Sequence, residues 1–347
     1  MKTVTIKTIA KEFGVTPATV SKALRDSSDI AEATKVKIKE LANDMGYQPN
    51  YLARSLVNKS SNIIGIIMPD ISTSFFGFTI RGINEAARVK DFETIILVND
   101  ENYDVERKNL EFLSKMQVDG IIIDSVPGEH NVDLIKNLSK RGIPFVFVDR
   151  KCELINSDSV TTDDLKASYS ITNYFIENNR KKIAFVGAID YLTVAKDRMM
   201  GYKKALEESD IEFDKDMIIP IHYEIKKEDL KNRVREFINT GKEFDAFVCA
   251  GGLIAYLVGV VLLEEGYQIS EDVSLGEFGD NNIVHRLGVP FVTVDQSPYD
   301  IGQRALELLV ERINSKEVDI APKHILMDSR LIYHNPAAQK HIFIKKI

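Results

Sequence analysis

Apolar and polar positions follow two different rhythms along this chain. Up to Gly46, apolar side chains recur three and four positions apart, as at Ile6, Ile9 and Phe13, which is the spacing of one helix face. From about residue 62 onward, short continuous apolar runs alternate with amphipathic helical stretches. Runs that are apolar on both faces and joined by helices predict parallel strands in a doubly wound α/β architecture. The pattern therefore predicts a small all-α head followed by a larger α/β body.

The head is predicted to contain three helices, with a tight turn between the first two. Thr5 precedes the first helix as a candidate N-cap, and a glycine ends that helix. Thr16 and Pro17 suit the N-cap and the first position of the second helix, which is expected to run to about Leu24. A third helix is expected over about 32–45. Two helices joined by a short turn that contains glycine predict a helix-turn-helix.

The second helix exposes a small polar and basic face, which has two interpretations. It is either an ordinary solvated helix with two cations or a recognition helix that enters the major groove of DNA. In the second case its first residues contact base edges, and its basic side chains reach bases or phosphates. The residues on this face are Pro17, Ala18, Ser21, Lys22 and Arg25.

The body is predicted to alternate strands and helices. The predicted strands lie in NIIGIIMPD, TIILVND, VDGIIIDSV, IPFVFVD, KIAFVGAID, MIIPIHY, FDAFVCAGG, VSLGEFG and FVTVDQ. The predicted helices include 76–90, 103–116, 165–178, 198–209 and 253–265. In sheets of this kind, ligands bind beyond the carboxyl ends of the strands.

Composition and charge limit the classes of protein to which this chain can belong. The chain has 347 residues, of which 44% are hydrophobic and 28% are charged, and no apolar run reaches the ~18 residues of a membrane span. Residues 1–61 carry ten Lys and Arg against six Asp and Glu, whereas the remainder carries 35 against 46. A basic head on an acidic body indicates that the head meets a polyanion. The absence of a signal peptide and the isolated Cys152 and Cys249 favour a cytoplasmic protein.

Catalytic signatures are missing from the sequence. It contains no G-x-G-x-x-G, no Walker A segment and no G-x-S-x-G. The six histidines, at positions 130, 222, 285, 324, 334 and 341, show no metal-ligand spacing. We therefore expect no enzyme activity, no cofactor and no metal site.

The order of these elements resembles the LacI/GalR (lactose repressor/galactose repressor) family of transcription regulators, from about residue 4 to 334. The resemblance rests on IKTIAKEFGVTPATVSKAL, GYQPNYLARSL, SNIIGIIMPDISTSFFGFTIRGINEAA, VDGIII, RKKIAFVG, RMMGYKKAL and PFVTVDQSPYDIGQRALELL. It implies a homodimer that binds a pseudo-palindromic DNA operator. It also implies a two-lobed, periplasmic-binding-protein-like core with a small-molecule effector, such as a carbohydrate or another metabolite, between the lobes.

The resemblance also implies the boundaries of the parts. The expected order is a helix-turn-helix domain over 1–48, a hinge helix over 49–61, a core over 62–334 and a tail over 335–347. Within the core, the first lobe is expected to comprise 62–160 and 292–324, and the second lobe 161–291 with part of 325–334. The tail lacks the heptads of a coiled coil, so it is expected to be frayed.

Residue by residue, the resemblance assigns DNA contacts. Because Pro17 and Ala18 have no side-chain donors, they are expected against thymine methyl groups, which leaves Lys22 as the guanine reader. Arg25 is implied in either role. The implied phosphate contacts are Thr5, Ser21, Thr34, Tyr47 and Asn50. In the hinge, Leu52, Ala53 and Leu56 are implied to pack in the minor groove, with Leu56 wedged between base pairs.

The resemblance assigns the effector site to the cleft between the lobes. Phe75 and Phe76 are expected to stack on the effector, with packing of the lobe as the alternative. Arg198 is expected to bind effector oxygens, with a surface ion pair as the alternative. The other implied positions are Asp70, Asp149, Asp163, Tyr223, Gly252 and Asp280.

Two departures from the family pattern concern this cleft. Gly252 and Gly279 stand where relatives usually carry aspartates, so two acceptors for hydroxyl or amino groups are missing. A larger, anionic or phosphorylated ligand is one hypothesis, because Gly251 and Gly252 would open space and expose amides near a helix N-terminus. Control by a partner protein is the alternative to a small-molecule effector. A periplasmic-type solute-binding protein and an α/β enzyme are the alternatives to a transcription regulator.

Overall fold

In a computed structural model, the chain divides into two compact units, Met1–Ser61 and Asn62–Ile347. None of the described helices combines the length and the apolar character that a membrane span needs. The structure describes residues 4–47, 60–152, 154–188, 193–222, 225–279, 281–315, 321–336 and 340–347.

The first unit contains the three predicted helices, α1 (Ile6–Phe13), α2 (Pro17–Leu24) and α3 (Glu32–Asp44). The Thr5 side chain accepts a hydrogen bond from the backbone of Thr8 and caps α1, as predicted. Thr16 caps α2 in the same way, and Pro17 occupies the first turn. A small apolar core joins the three helices. Its fully or nearly buried members are Ile9, Ala10, Val20, Ala23, Ile38 and Ala42.

Six parallel strands form the first sheet of the second unit. They are β1 (Ile63–Met68), β2 (Glu93–Val98), β3 (Gly120–Ile123), β4 (Phe145–Val148), β5 (Asp158–Thr162) and β11 (His324–Met327). Their order in the sheet is β11-β5-β4-β3-β1-β2. Every residue of β3 and β4 is buried, which explains their continuous apolar runs.

Seven strands form the second sheet. They are β6 (Ile183–Ala188), β7 (Ile218–Ile221), β8 (Ala246–Cys249), β9 (Ser274–Phe278), β10 (Phe291–Asp295), β12 (Arg330–Asn335) and β13 (Lys340–Lys346). Their order is β13-β12-β10-β9-β8-β6-β7. The strand β12 is antiparallel to both of its neighbours, whereas the other pairs are parallel.

Helices cover the faces of both sheets, as the βα alternation predicted. They are α4 (Ser74–Val89), α5 (Tyr103–Met116), α6 (Val132–Lys140), α7 (Asp164–Glu177), α8 (Thr193–Glu208), α9 (Lys227–Asn239), α10 (Gly252–Glu264), α11 (Asn281–Val284) and α12 (Pro298–Asn314). Short 3₁₀ turns span Lys215–Met217 and His285–Leu287.

The chain passes between the two lobes at other points than expected. The strand β10 was assigned to the first lobe from residue 292, but it lies in the second sheet, where Val292 pairs with Gly276 of β9. The chain returns to the first lobe only with α12, which packs against α4. Likewise, β11 (His324–Met327) belongs to the first sheet, so the first lobe extends beyond residue 324, where it was expected to end. The expected boundaries are wrong at these places because both strands complete a parallel ladder before the chain crosses.

Glycine permits the close approach of α4 and α12. A Cβ atom added to Gly82 would lie 2.1 Å from the carbonyl oxygen of Tyr299, and one added to Gly302 would lie 2.0 Å from that of Thr79. Each helix therefore presents a glycine to the backbone of the other. This contact holds the returning helix on the first lobe.

The tail is a strand and not a frayed segment, which corrects the sequence interpretation. The strand β13 pairs antiparallel with β12 at the edge of the second sheet. The last residue, Ile347, is 7% exposed, and its N–H donates to the carbonyl of Ser329 at 2.8 Å. The lack of heptads argues only against a coiled-coil helix, and it says nothing about a strand, whose side chains have a period of two.

Candidate functional site

The helix α2 presents the expected base-reading positions to solvent. Pro17, Ala18 and Lys22 are exposed, and Ser21 is half-buried. The Lys22 ammonium donates to the carboxylate of Asp29, which also accepts from a serine hydroxyl, and these bonds lower the pKa of Asp29 to about 2. Because exposed ion pairs contribute little, Lys22 can exchange this partner for a base or a phosphate.

Other implied DNA contacts also have local structural roles. Arg25 donates from Nε to the carbonyl of Ser21 at 3.2 Å, near the end of α2. Thr5 is exposed and caps α1, Thr34 is half-buried, and Tyr47 packs on the core of the first unit. The hinge positions Asn50, Leu52, Ala53 and Leu56 lie outside the described residues.

In the second lobe, Arg198 on α8 lies at the carboxyl ends of the strands. Its Nε donates to Asp164 Oδ1 at 2.6 Å, and its Nη1 donates to the carbonyl of Ala250 at 2.8 Å. Its Nη2 donates to Gln296 Oε1 at 3.5 Å. The guanidinium also lies over the ring of Phe278, with 4.2 Å from Cζ to the ring centroid. The expected alternative, a surface ion pair, is wrong because Arg198 is only 8% exposed.

A buried ring of polar side chains holds this arginine in place. Gln296 donates from Nε2 to the hydroxyl of Thr162 at 2.8 Å, and this hydroxyl lies 3.5 Å from Asp164 Oδ2. Thr162 ends the last strand before the chain enters the second lobe, and Gln296 follows the last strand before it leaves. The ring therefore joins two of the crossing segments to Arg198.

The carboxylate beside Arg198 is that of Asp164 and not that of Asp163. Asp163 caps α7, where its Oδ1 accepts from the backbone of Lys166 at 2.9 Å. Burial raises the pKa of Asp164 to about 6, the charge of Arg198 opposes this, and the charge of Asp149 adds to it. Asp163 thus satisfies the helix N-terminus, and its expected contact with an effector stays a prediction.

The first lobe supplies an aromatic side chain next to this ring. A Cβ atom on Gly279 would lie 3.7 Å from Phe75 Cδ2 and 3.0 Å from Gln296 Oε1, so Phe75 reaches the strand ends of the second lobe. Phe76 meets Phe75 edge-on, with 5.3 Å between the ring centroids. Both rings are half-buried and also pack on the core of the first lobe, so the packing alternative holds in part.

A second buried arginine lies at the strand ends of the first lobe. Arg150 pairs bidentately with Glu101, at 2.9 and 2.7 Å, and with Asp124, at 2.8 and 3.1 Å. The preceding residue, Asp149, is half-buried with φ of 58°. Its carboxylate has no hydrogen-bond partner in the described parts of the chain. Asp149 therefore has acceptor oxygens without a partner among the described residues, and its contact with an effector stays a prediction.

The remaining implied effector positions are less informative. Asp70 follows β1, and its two carboxylate oxygens accept from the backbone and the hydroxyl of Ser72, each at 2.7 Å. Gly252 is buried and begins α10. Tyr223 and Asp280 lie outside the described residues.

The sequence interpretation missed four members of this site, namely Thr162, Asp164, Phe278 and Gln296. Gln296 lies within the motif PFVTVDQSPYDIGQRALELL, and Asp164 directly follows Asp163, one of the implied effector positions. Neither spacing nor residue type distinguishes Asp164 from Asp163, because only the helix geometry decides which of them caps α7.

Metal-ligating side chains converge at another place. His285, His334 and His341 lie together in the second lobe, with one potential ligand atom from each within 4.8 Å of the others. The expectation of no metal site rested on sequence spacing, and it failed to anticipate this cluster because the 3₁₀ turn and two strands bring the residues together.

Comparisons with known proteins agree with the two units. Residues 5–50 match the family of bacterial regulatory proteins of the lacI type. Residues 61–333 match the periplasmic binding proteins and sugar binding domain of the LacI family.

Individual relatives match along nearly the whole chain. The HTH-type transcriptional regulator RegA of Clostridium saccharobutylicum is 32% identical over 92% of this chain and 96% of its own. Catabolite control protein A of Staphylococcus xylosus is 29% identical over 95% of this chain and 98% of its own.

Solved structures share the fold. The lac repressor dimer bound to operator and the anti-inducer ONPF matches with a TM-score of 0.82 and 18% identity, over 96% of this chain and 99% of that one. The CelR–cellobiose complex matches with a TM-score of 0.70 and 20% identity, over 94% and 98%.

Proposed function

The chain belongs to the LacI family of bacterial regulatory proteins, and from that premise we propose that it is a ligand-controlled repressor of transcription. It binds a pseudo-palindromic operator as a homodimer through its helix-turn-helix head. A small molecule in the cleft between the two lobes sets the affinity for the operator. The hinge over 49–61 transmits the change, and Leu56 wedges between base pairs at the operator centre.

The observation that carries this proposal is the environment of Arg198. Its guanidinium has five N–H groups, and three of them bond to Asp164, Ala250 and Gln296. The other two have no partner among the residues that the structure describes. A buried arginine with unused donors, next to Phe75 and at the crossing segments between two lobes, suits a ligand that bridges the lobes.

The ligand that fits best is a carbohydrate or a carbohydrate derivative. A hydroxyl group both donates and accepts, and the cleft offers free N–H groups on Arg198 and a free carboxylate on Asp149. The charge of Arg198 is balanced by Asp164 at 2.6 Å, so this arginine provides no net positive charge for an anion. The similar CelR structure holds cellobiose, in keeping with this class of ligand. An anionic ligand at the N-terminus of α10 is the competing outcome.

Calorimetry with paired ligands separates the two outcomes. The purified full chain is titrated with free mono- and disaccharides and with their phosphate esters. We expect a free sugar to bind, and Arg198→Lys to lose most of this affinity, because Lys lacks the planar fork of donors. Arg235→Lys is the matched control, since Arg235 forms exposed ion pairs in the same lobe. Binding of phosphate esters alone would contradict the carbohydrate assignment.

DNA binding is tested without knowledge of the ligand. Full-length protein is used to select sequences from a random duplex pool, and the affinity for the enriched sequence is measured at several salt concentrations. We expect a sequence with two inverted half-sites and a steep loss of affinity with salt, because lysines and arginines release counterions from phosphates. A pool without enrichment would refute sequence-specific binding.

A further inference from the structure

Three histidines from separate parts of the sequence meet at the edge of the second lobe. His285 begins the 3₁₀ turn after α11, His334 lies on β12, and His341 lies on the C-terminal strand β13. The Nδ1 atoms of His334 and His341 are 2.8 Å apart. The ring centroid of His285 lies 4.9 Å from that of His334 and 5.5 Å from that of His341.

The environment of His334 is unusual for a histidine with only a packing role. It is 4% exposed and stacks on Phe291, with 4.6 Å between the ring centroids. Its Nε2 is buried and contacts no hydrogen-bond partner in the part of the chain that the structure describes. Buried polar atoms are nearly always paired, and an exception needs an explanation such as an ion.

The geometry also permits entry and coordination. His341 is exposed and gives an ion a path from solvent, whereas His285 is half-buried. Nitrogen ligands lie about 2.0 to 2.1 Å from Zn²⁺, which puts two tetrahedral ligands roughly 3.3 Å apart. The present separations of up to 4.8 Å need only small side-chain rotations to reach this value.

We propose that His285, His334 and His341 bind one divalent transition-metal ion, with water as the fourth ligand. A set of imidazoles without carboxylates favours Zn²⁺, Cu²⁺ or Ni²⁺ over Mg²⁺ or Ca²⁺. The ion ties β13 to the 3₁₀ turn, which follows the segment at Gly279 that borders the effector cleft. The site therefore fastens the C-terminal strand to the second lobe.

The test uses the untagged full chain after removal of metals with a chelator. Titration calorimetry with Zn²⁺ is expected to show one ion per chain. His341→Ala is expected to weaken binding at least tenfold, because one ligand is lost. His130→Ala is the matched control, since His130 is also exposed and lies in the other lobe. Co²⁺ is expected to give the visible absorption of a tetrahedral site in the wild type and not in His341→Ala.

Two further measurements keep the outcome decisive. Thermal unfolding of the metal-free variants shows whether His341→Ala still folds, and His341→Gln replaces it if that variant does not. Zn²⁺ is expected to slow amide hydrogen exchange in β13 of the wild type. Absence of stoichiometric binding, or equal Zn²⁺ affinity in His341→Ala and His130→Ala, would overturn the proposal.

Discussion

The two lobes each hold one buried arginine at the carboxyl ends of their strands, and the two arginines are used differently. Arg150 in the first lobe makes four hydrogen bonds to the carboxylates of Glu101 and Asp124. Arg198 in the second lobe makes one to a carboxylate, one to a carbonyl and a long one to an amide oxygen. Carboxylates therefore engage most of the donors of Arg150, whereas two N–H groups of Arg198 have no partner among the described residues.

The comparison shows that burial alone does not identify a binding residue. Arg150 and Arg198 are both 8% exposed. Their difference lies in the number of unused donors and in the charge around them. Two carboxylates surround Arg150 and raise its pKa above the ordinary value in spite of burial, whereas Arg198 faces a single carboxylate. Buried donors without partners are thus a better guide than burial alone to a candidate ligand site.

The largest effect is expected for Arg150→Met. It leaves Glu101 and Asp124 buried without their cation, and breaking a buried ion pair costs about 3 to 5 kcal/mol. Urea unfolding of the variant measures this cost. Arg304→Met is the control, because it removes only half-exposed ion pairs with Glu307 and Glu311, and its expected loss is less than ~1 kcal/mol. Equal losses of unfolding free energy in the two variants would contradict the structural role of Arg150.

A smaller loss of stability is expected for Arg198→Met. Arg198→Met leaves a single carboxylate, that of Asp164, without its cation, and burial already raises the pKa of this carboxyl to about 6, which favours its neutral form in the variant. We therefore expect a smaller loss than for Arg150→Met, together with loss of effector binding. Urea unfolding and calorimetry check the two parts. A loss as large as that of Arg150→Met would show that the two arginines are equivalent.

Gly279→Ala sharpens the comparison at the wall of the cleft. Gly279 has φ of +79°, and a Cβ atom there would lie 3.0 Å from Gln296 Oε1. The left-handed conformation costs an L-residue about 1 to 2 kcal/mol, and displacement of Gln296 adds to this and disturbs Arg198. Gly266→Ala is the control, since its φ is +86° with nothing within 4 Å.

The two glycine variants separate backbone strain from contact. Both are expected to lower the free energy of unfolding, but only Gly279→Ala is expected to weaken effector binding in calorimetry. Equal ligand affinity in both variants would contradict the role of Gln296 beside Arg198.

The smallest effect on stability is expected for Lys22→Ala, because its ion pair with Asp29 is exposed. We expect unchanged urea unfolding and a relaxed preference among operator sequences in competition binding. Uniform weakening on all sequences would instead make Lys22 a phosphate contact.

The sequence predicted elements whose signal is local. The caps at Thr5 and Thr16, the three head helices and the apolar parallel strands all follow from residue type and periodicity. The strands β5 and β11 were not predicted, because DSVTT is polar and HILM is partly exposed at the sheet edge. Such segments become strands through their neighbours and not through their own pattern.

The site was less predictable for a similar reason. Family resemblance led to Phe75 and Arg198. The structure places Phe75 beside Gly279 and Arg198 within the ring of buried polar side chains. It did not lead to Asp164 or Gln296, whose roles depend on the turn before α7 and on the crossing after β10. The histidine cluster depends on the pairing of β12 with β13, which sequence spacing does not encode.

The central claim is that a ligand at Arg198 controls the affinity for operator DNA. The most direct test measures binding of the selected operator by the wild type and by Arg198→Lys, with and without the sugar that calorimetry identifies. We expect the sugar to change the operator affinity of the wild type about tenfold or more, equivalent to ~1.4 kcal/mol of coupling, and to leave the variant unchanged. An equal change in both proteins, or no change in the wild type, would contradict the account.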